Sequence, residues 1–193
     1  MPPIYISEKI FDKTDFTESP LPAGEYENCR FINCDFSSSN LSGIKFLECE
    51  FSACNLSLAK LSKTVFGDVK FKDCKMLGLH FENCHDFGFA VQFDGCMLDH
   101  SSFYRCKLKK TSFRNTKLGE ADFTEADLSS SVFDQCHLAG AKFENTILEK
   151  ADFRTSSGYS IDPELNRLKK AKFSQSGISG LLHKYDIEID PAN

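Results

Sequence analysis

The chain has 193 residues, 41% of them hydrophobic, with 23 basic and 28 acidic residues, a formal net charge of −5 and a pI near 5.6. That length favours one domain or two small ones, with enough apolar content for a core, and the acidic balance excludes the electrostatic footprint of a phosphate-backbone binder, so no direct nucleic-acid contact is expected. No stretch approaches the roughly 18 apolar residues of a membrane span, and the start Met1-Pro2-Pro3-Ile4-Tyr5 lacks signal-peptide character; no membrane contact, a cytoplasmic location and reduced thiols are the expectations.

Taken in chain order, the sequence is one repeat with a period of five. From Phe11 an apolar residue recurs at Phe16, Leu21, Tyr26, Phe31, Phe36, Leu41, Phe46, Phe51, Leu56, Leu61, Phe66, Phe71, Met76 and Phe81. Pro20 and Pro22 fall in the first full turn, where a missing N–H is tolerable at an exposed edge. The register then slips by two residues near 84–92 and resumes from Phe93 to Phe153. Seventeen of the 19 Phe hold the register, and the other two, Phe87 and Phe89, sit in the slip, where they are expected to fill a bulge from inside. A second register of small residues lies two positions before each apolar one and takes in all nine Cys. Helices and strands repeat every 3.6 and 2 residues and cannot give this pattern.

The physical reading is a chain that turns a corner every five residues, pointing one large and one small side chain inward on each side. Four sides close a square coil of 20 residues, and like residues then stack in columns. Phe31, Phe51, Phe71, Phe93, Phe113, Phe133 and Phe153 form the clearest core column, which extends to Phe11 and Phe173 once the slip is allowed. The repeat frays over an irregular final coil at 156–175. Beyond it, Ile178, Leu181, Leu182 and Tyr185 fall at i, i+3, i+4 and i+7, one apolar face of a short helix, and Asp186-Ile187-Glu188-Ile189-Asp190 alternates like an edge strand. The expected organisation is therefore a solenoid over 1–175 and a capping or dimerising segment over 176–193.

No nucleophile with a base in reach and no converging ligand set is legible, so catalytic, cofactor and metal sites are expected to be absent. The Cys register points thiols into an apolar interior, with Cys34, Cys54, Cys74, Cys96 and Cys136 in one column as small hydrophobes. His80, His85, His100, His137 and His183 fall on outward positions; only His80 and His100 are placed to approach one another. Arg105, Lys107, Lys109, Lys110 and Arg114 read as a solvated basic face.

Ala121-Asp122-Phe123-Thr124-Glu125 and Ala126-Asp127-Leu128-Ser129-Ser130 fit the motif small-[Asp/Asn]-[Leu/Phe]-x-x, and the chain resembles the pentapeptide-repeat family over about four fifths of its length. Phe31-Ile32-Asn33-Cys34-Asp35-Phe36-Ser37, with Asn40-Leu41-Ser42-Gly43 and Cys49-Glu50-Phe51, is similar to the Qnr quinolone-resistance branch. The resemblance implies an all-β fold, a right-handed quadrilateral β-helix with a short C-terminal helix, and a homodimer joined through the C-terminal segment, with Ile178, Leu181, Leu182 and Tyr185 as the contact. It also implies a non-enzymatic protein that binds a type II topoisomerase, DNA gyrase or topoisomerase IV, as a mimic of DNA in drug or toxin protection. The alternative is an interaction rod with no topoisomerase link. The side carrying Leu98 leans acidic, through Asp15, Glu18, Asp35, Asp99 and Glu120 against Lys75 and Lys117, and is the expected partner-binding side. A 40 Å duplex carries about 23 charges, so electrostatic mimicry by this chain is partial. The slip is also too short for the projecting loops that accompany gyrase protection in Qnr-type proteins.

Overall fold

The structure, a computed structural model, describes residues 4–86 and 88–190. The corner every five residues is a backbone event. Two positions after most inward residues the chain passes through the left-handed region, as at Asn33 (φ 53°), Leu58 (φ 59°), Glu125 (φ 58°) and Gly140 (φ 71°). Such a conformation costs an L-residue energy. Here most of the turned N–H groups are not left free, because they donate to carbonyls of the next coil: Asn33 N–H to Ser52 O at 2.9 Å, Glu125 N–H to Glu144 O at 2.8 Å. The Asp or Asn before many inward residues closes the same corner from the side, as where Asp122 Oδ1 accepts the Thr124 N–H at 2.9 Å and Asp35 Oδ1 the Ser37 N–H at 2.8 Å. This is the local reason for the acidic letter in the motif.

Repetition of the corner stacks coils into a four-sided parallel β-solenoid. The first wall carries the Phe column. Its strands β2 (Ile10–Asp12), β4 (Arg30–Ile32), β6 (Glu50–Ser52), β8 (Val69–Lys72), β9 (Val91–Asp94), β10 (Ser112–Arg114) and β11 (Val132–Asp134) form one seven-stranded sheet. On the fourth wall β1 (Ile4–Ser7), β3 (Gly24–Glu27), β5 (Lys45–Leu47) and β7 (Val65–Gly67) form a four-stranded sheet that ends at the slip. The second and third walls, and the fourth beyond the slip, are held by isolated parallel bridges. The Phe rings from Phe11 to Phe173 stack at centroid distances of 4.5 to 5.5 Å. A second ladder, Phe81, Phe103, Phe123 and Phe143, meets the first edge-on, as between Phe113 and Phe123 at 6.1 Å and 86°.

Two kinds of corner explain where the thiols lie. After most corners of the bridge-held walls the small residue's N–H turns back onto its own corner, as from Ala126 to Phe123 O and from Ala59 to Leu56 O. Ala59, Ala121, Ala126, Ala141, Ala151 and Ala171 all make this bond. After a strand corner the N–H runs along the column instead, and Cys34 N–H meets Cys54 Sγ at 3.4 Å. The same sulfur donates to Phe31 O at 3.3 Å, and Cys29, Cys34, Cys49, Cys74, Cys96 and Cys136 donate to carbonyls of the preceding coil in the same way. Cys thus fills a narrow apolar shaft and also carries a weak donor and acceptor. All nine are buried free thiols.

At the slip, register between coils lengthens from Phe51↔Phe71 to Phe71↔Phe93. The first wall crosses it unbroken, and the two extra residues are absorbed on the fourth wall, where Ala90 N–H reaches Phe66 O at 2.9 Å. Phe89 is half-buried against the core with its ring 6.3 Å from Phe81, while Phe87 lies outside the described residues.

The ends are closed differently. Pro20 stands in the column Asn40, Lys60, His80, whose N–H groups point toward the preceding coil, as Lys60 to Ser39 O. In the first coil that donor has no acceptor ahead of it, so its absence costs nothing. At the C-terminal end the expected single helical face is corrected. The segment forms two 3₁₀ turns, Gln175–Leu181 and His183–Tyr185, whose period of three places Gly177 and Gly180 together over Tyr159. A Cβ at Gly180 would stand 2.4 Å from Tyr159 O and one at Gly177 2.0 Å from its hydroxyl, so only glycine lets the cap lie this close. Lys184 fastens it by ion pairs to Asp162 at 2.8 Å and Glu164 at 2.7 Å, and its hydrogen bonds hold both carboxyls below their ordinary pKa. The tail 186–190 forms no strand, against the alternation of its sequence.

Candidate interaction surfaces

The second wall places the expected acidic residues on one side of the rod but in two separate groups. Its outward ladder runs Asp15, Asp35, Asn55, Lys75, Met97, Lys117, His137, Ser157. Asp15 and Asp35 are neighbours at the N-terminal end. Asp15 Oδ1 accepts from the Thr17 hydroxyl at 2.6 Å and the Thr17 N–H at 2.8 Å, which holds its carboxyl below the ordinary value. Glu18 is exposed beside it. Asp99 and Glu120 lie beyond Lys75: Asp99 Oδ1 accepts the Gly119 N–H at 2.9 Å, and Glu120 sits 3.3 Å from His100 Nδ1.

His80 and His100 do not meet. His80 Nδ1 pairs with Glu82 at 2.9 Å, and among the described residues no group of three His, Cys, Asp or Glu converges. Burial pushes the Cys49 and Cys106 thiols up to about 12 and Cys136 to about 11, while Cys74, hydrogen-bonded between Cys54 and Cys96, is also raised. A shallow groove of about 360 Å³ on the first wall is lined by Lys70, Lys72, Gln92, Asp94 and Arg114, and a cleft of about 460 Å³ is lined by Ser156, Ser157 and Tyr159 together with Ser176, Ser179 and His183 of the cap.

The four residues expected at a dimer contact part company. Leu181 and Leu182 are half-buried, with Leu181 packed on the core of its own chain. Ile178 and Tyr185 are exposed, as are Ile187 and Ile189, and the Tyr185 hydroxyl donates to Glu164 at 3.1 Å.

The fourth wall carries the strongest charge separation, which a count over the whole chain conceals. Before the slip, its outward positions hold Glu8, Glu25, Glu27, Glu48 and Asp68, with Lys45 the one cation, 3.2 Å from Glu25. After the slip, the ladder Lys107, Asp127, Ile147, Arg167 is flanked by Lys109, Glu149 and Lys169 and by the corner residues Lys110, Lys150 and Lys170. Seven cations there face two carboxylates, of which Asp127 is paired with Lys109 at 3.2 Å. The signal is present in sequence one place before and one and two places after each Leu of the column, but emerges only when charges are sorted by wall and by half. Lys107, Lys109 and Lys110 of the run from Arg105 to Arg114 are one part of it.

Comparison with known proteins agrees with this architecture. No curated protein matches the chain. Among solved structures, the full-length plasmid-mediated fluoroquinolone resistance protein QnrB1 is 19% identical, with a TM-score of 0.52 over 95% of this chain and 100% of that one. HetL, a pentapeptide repeat protein involved in heterocyst differentiation regulation from the cyanobacterium Nostoc sp. strain PCC 7120, is 12% identical, with a TM-score of 0.43 over 88% of this chain and 86% of that one. The sequence model of the pentapeptide repeat region matches residues 25–86 and 89–160, well over half the chain, and these residues build the coils described above: the protein belongs to the pentapeptide-repeat family.

Proposed function

We propose that the protein acts by binding another protein, without catalysis, and that a type II topoisomerase, DNA gyrase or topoisomerase IV, is the partner to test first. The observation that carries this reading is the second wall. It is a rigid, flat surface with ordered carboxylates at Asp15, Asp35 and Asp99 and an exposed one at Glu120, on a fold shared with QnrB1. Surface charge of this kind speeds encounter and is screened by salt. Lys75 and Lys117 interrupt the ladder, so mimicry of a continuous polyanion is partial, and this interruption favours the second reading, an interaction rod for a different protein. An end-on homodimer is proposed on narrower ground than the sequence implied, through Ile178, Tyr185, Ile187 and Ile189.

Titration of the purified protein into a gyrase supercoiling reaction at low salt tests the first reading. The expected result is inhibition that weakens as salt rises and that Asp99→Lys with Glu120→Lys reduces more than Asp94→Lys with Asp134→Lys on the mixed first wall. No effect at tens of micromolar would remove the topoisomerase and leave the second reading.

A further inference from the structure

The fourth wall is dipolar about its middle. Its inward positions run Ile6, Tyr26, Phe46 and Phe66 before the slip and Leu108, Leu128, Leu148 and Leu168 after it, so the slip divides the wall into halves of equal length. The half before it is acidic and the half after it basic. A long uniform polyanion laid along the rod would gain on one half and be repelled on the other. The shape and charge fit a partner that is itself divided in the same way at the same spacing. We propose that this partner is a second copy of the chain, turned about a two-fold axis through the slip so that two fourth walls meet antiparallel.

That operation sets the coil of Phe66 against the partner's coil of Leu108, and the coil of Ile6 against that of Leu168. Asp68 then faces the ground held by Lys107 and Lys110, and Glu8 that held by Lys169 and Lys170; Lys45 falls opposite the coil of Asp127. Such a contact is isologous and closes on itself. Nine coils at about 4.8 Å and five residues a side at about 3.3 Å make a wall of about 40 by 16 Å, hence roughly 1,200 Å² buried in total, the low end of specific interfaces. With lysines and carboxylates across it, the pair is weak, fast to form and salt-sensitive. It is independent of the topoisomerase reading and of the apolar end-on contact, which salt does not weaken.

Sedimentation velocity on the full chain, at low salt and at about 0.5 M salt, tests it. The association constant is expected to fall at least about tenfold at the higher salt. Glu48→Lys with Asp68→Lys, and separately Lys107→Glu with Lys110→Glu, should each weaken association by a similar factor, because like charges then meet. An equimolar mixture of the two variants should restore it, since the reversed halves again match. All four positions are exposed, and an unchanged far-UV spectrum checks that the variants fold. Association that ignores salt and both variants overturns the proposal. So does loss with the lysine variant alone, or failure of the mixture to recover, either of which points to an acidic protein as the partner of the basic half.

Discussion

Before the slip, the fourth wall is a hydrogen-bonded sheet built on Tyr26, Phe46 and Phe66; beyond it, the same wall is built on Leu108, Leu128, Leu148 and Leu168 and held by single bridges. The inter-coil bonds continue, with Lys110 N–H to Ser129 O at 2.9 Å where Asn28 N–H to Leu47 O stood at 2.9 Å. What changes is the path between them. In the first half Val65 and Phe66 favour extended backbone and the rings stack, Tyr26 on Phe46 at 5.7 Å and Phe46 on Phe66 at 5.6 Å. In the second, Asp127 accepts both the N–H and the hydroxyl of Ser129, and Ser131 N–H turns back to Leu128 O, so the wall is pinched into turns. One five-residue rule therefore supports two constructions, an aromatic sheet and an aliphatic stack of turns, and the slip is the place where the fourth wall changes from one to the other.

The largest test of that contrast is in the core. Phe46 stacks between Tyr26 and Phe66 on the fourth wall and takes Phe31 and Phe51 on its edges. Phe46→Ala should cost about 3–5 kcal/mol, because coils tied above and below cannot collapse into the space. Leu128→Ala, in the aliphatic stack, should cost roughly 2–3 kcal/mol. Chemical denaturation of the two variants decides it, and a larger loss at Leu128 would show that the turns, not the rings, make the stiffer half.

A smaller and sharper test separates the two corners. Cys54→Ala at a strand corner leaves the Cys34 N–H buried without its acceptor and should cost about 1–3 kcal/mol, which Cys54→Ser recovers. Cys106 follows a turn corner, where its own N–H and that of Cys84 are satisfied by Phe103 and Phe81 carbonyls, and Cys106→Ala should cost under about 1 kcal/mol. Equal costs would mean that the thiols matter by volume alone.

The columns were legible in sequence because the large inward positions are apolar throughout Phe11 to Phe81 and Phe93 to Phe153, and Phe31 through Phe153 stack as their spacing required. The thiol column was legible as packing but not as bonding, since nothing in the letters separates a corner that spends its N–H locally from one that sends it along the shaft. The cap departs from the expected face for a definite reason: Ile178, Leu181, Leu182 and Tyr185 satisfy a 3.6 period, but Gly177 and Gly180 over Tyr159 impose a period of three, and the four do not bury one common face; Leu181 packs on the core while Ile178 and Tyr185 are exposed. The second-wall carboxylates share one side with Lys75 and Lys117 by spacing alone, but their division into two groups on either side of Lys75 is visible only in the stacked ladder. The dipole of the fourth wall was missed because the chain as a whole is acidic and the basic half hides within it.

The smallest effect expected is at the corners, the one element both halves share. Leu58 is exposed at φ 59° before the slip, and Gly140 occupies the equivalent place of the same wall after it at φ 71°. Leaving the left-handed region to glycine relieves about 1–2 kcal/mol of backbone cost, while the freer unfolded chain returns about 0.4–1 kcal/mol of it. Leu58→Gly should therefore stabilise the fold by about 0.5–1 kcal/mol, and Gly140→Ala should destabilise it by about the same. The added methyl group would stand 3.1 Å from Glu120 Cγ, a flexible side chain on the surface that can move aside, so packing adds little. Equal and opposite shifts in thermal midpoint would show that the corner is built alike on both sides of the slip. A stabilisation confined to Leu58→Gly would instead assign the tighter corners to the aromatic half.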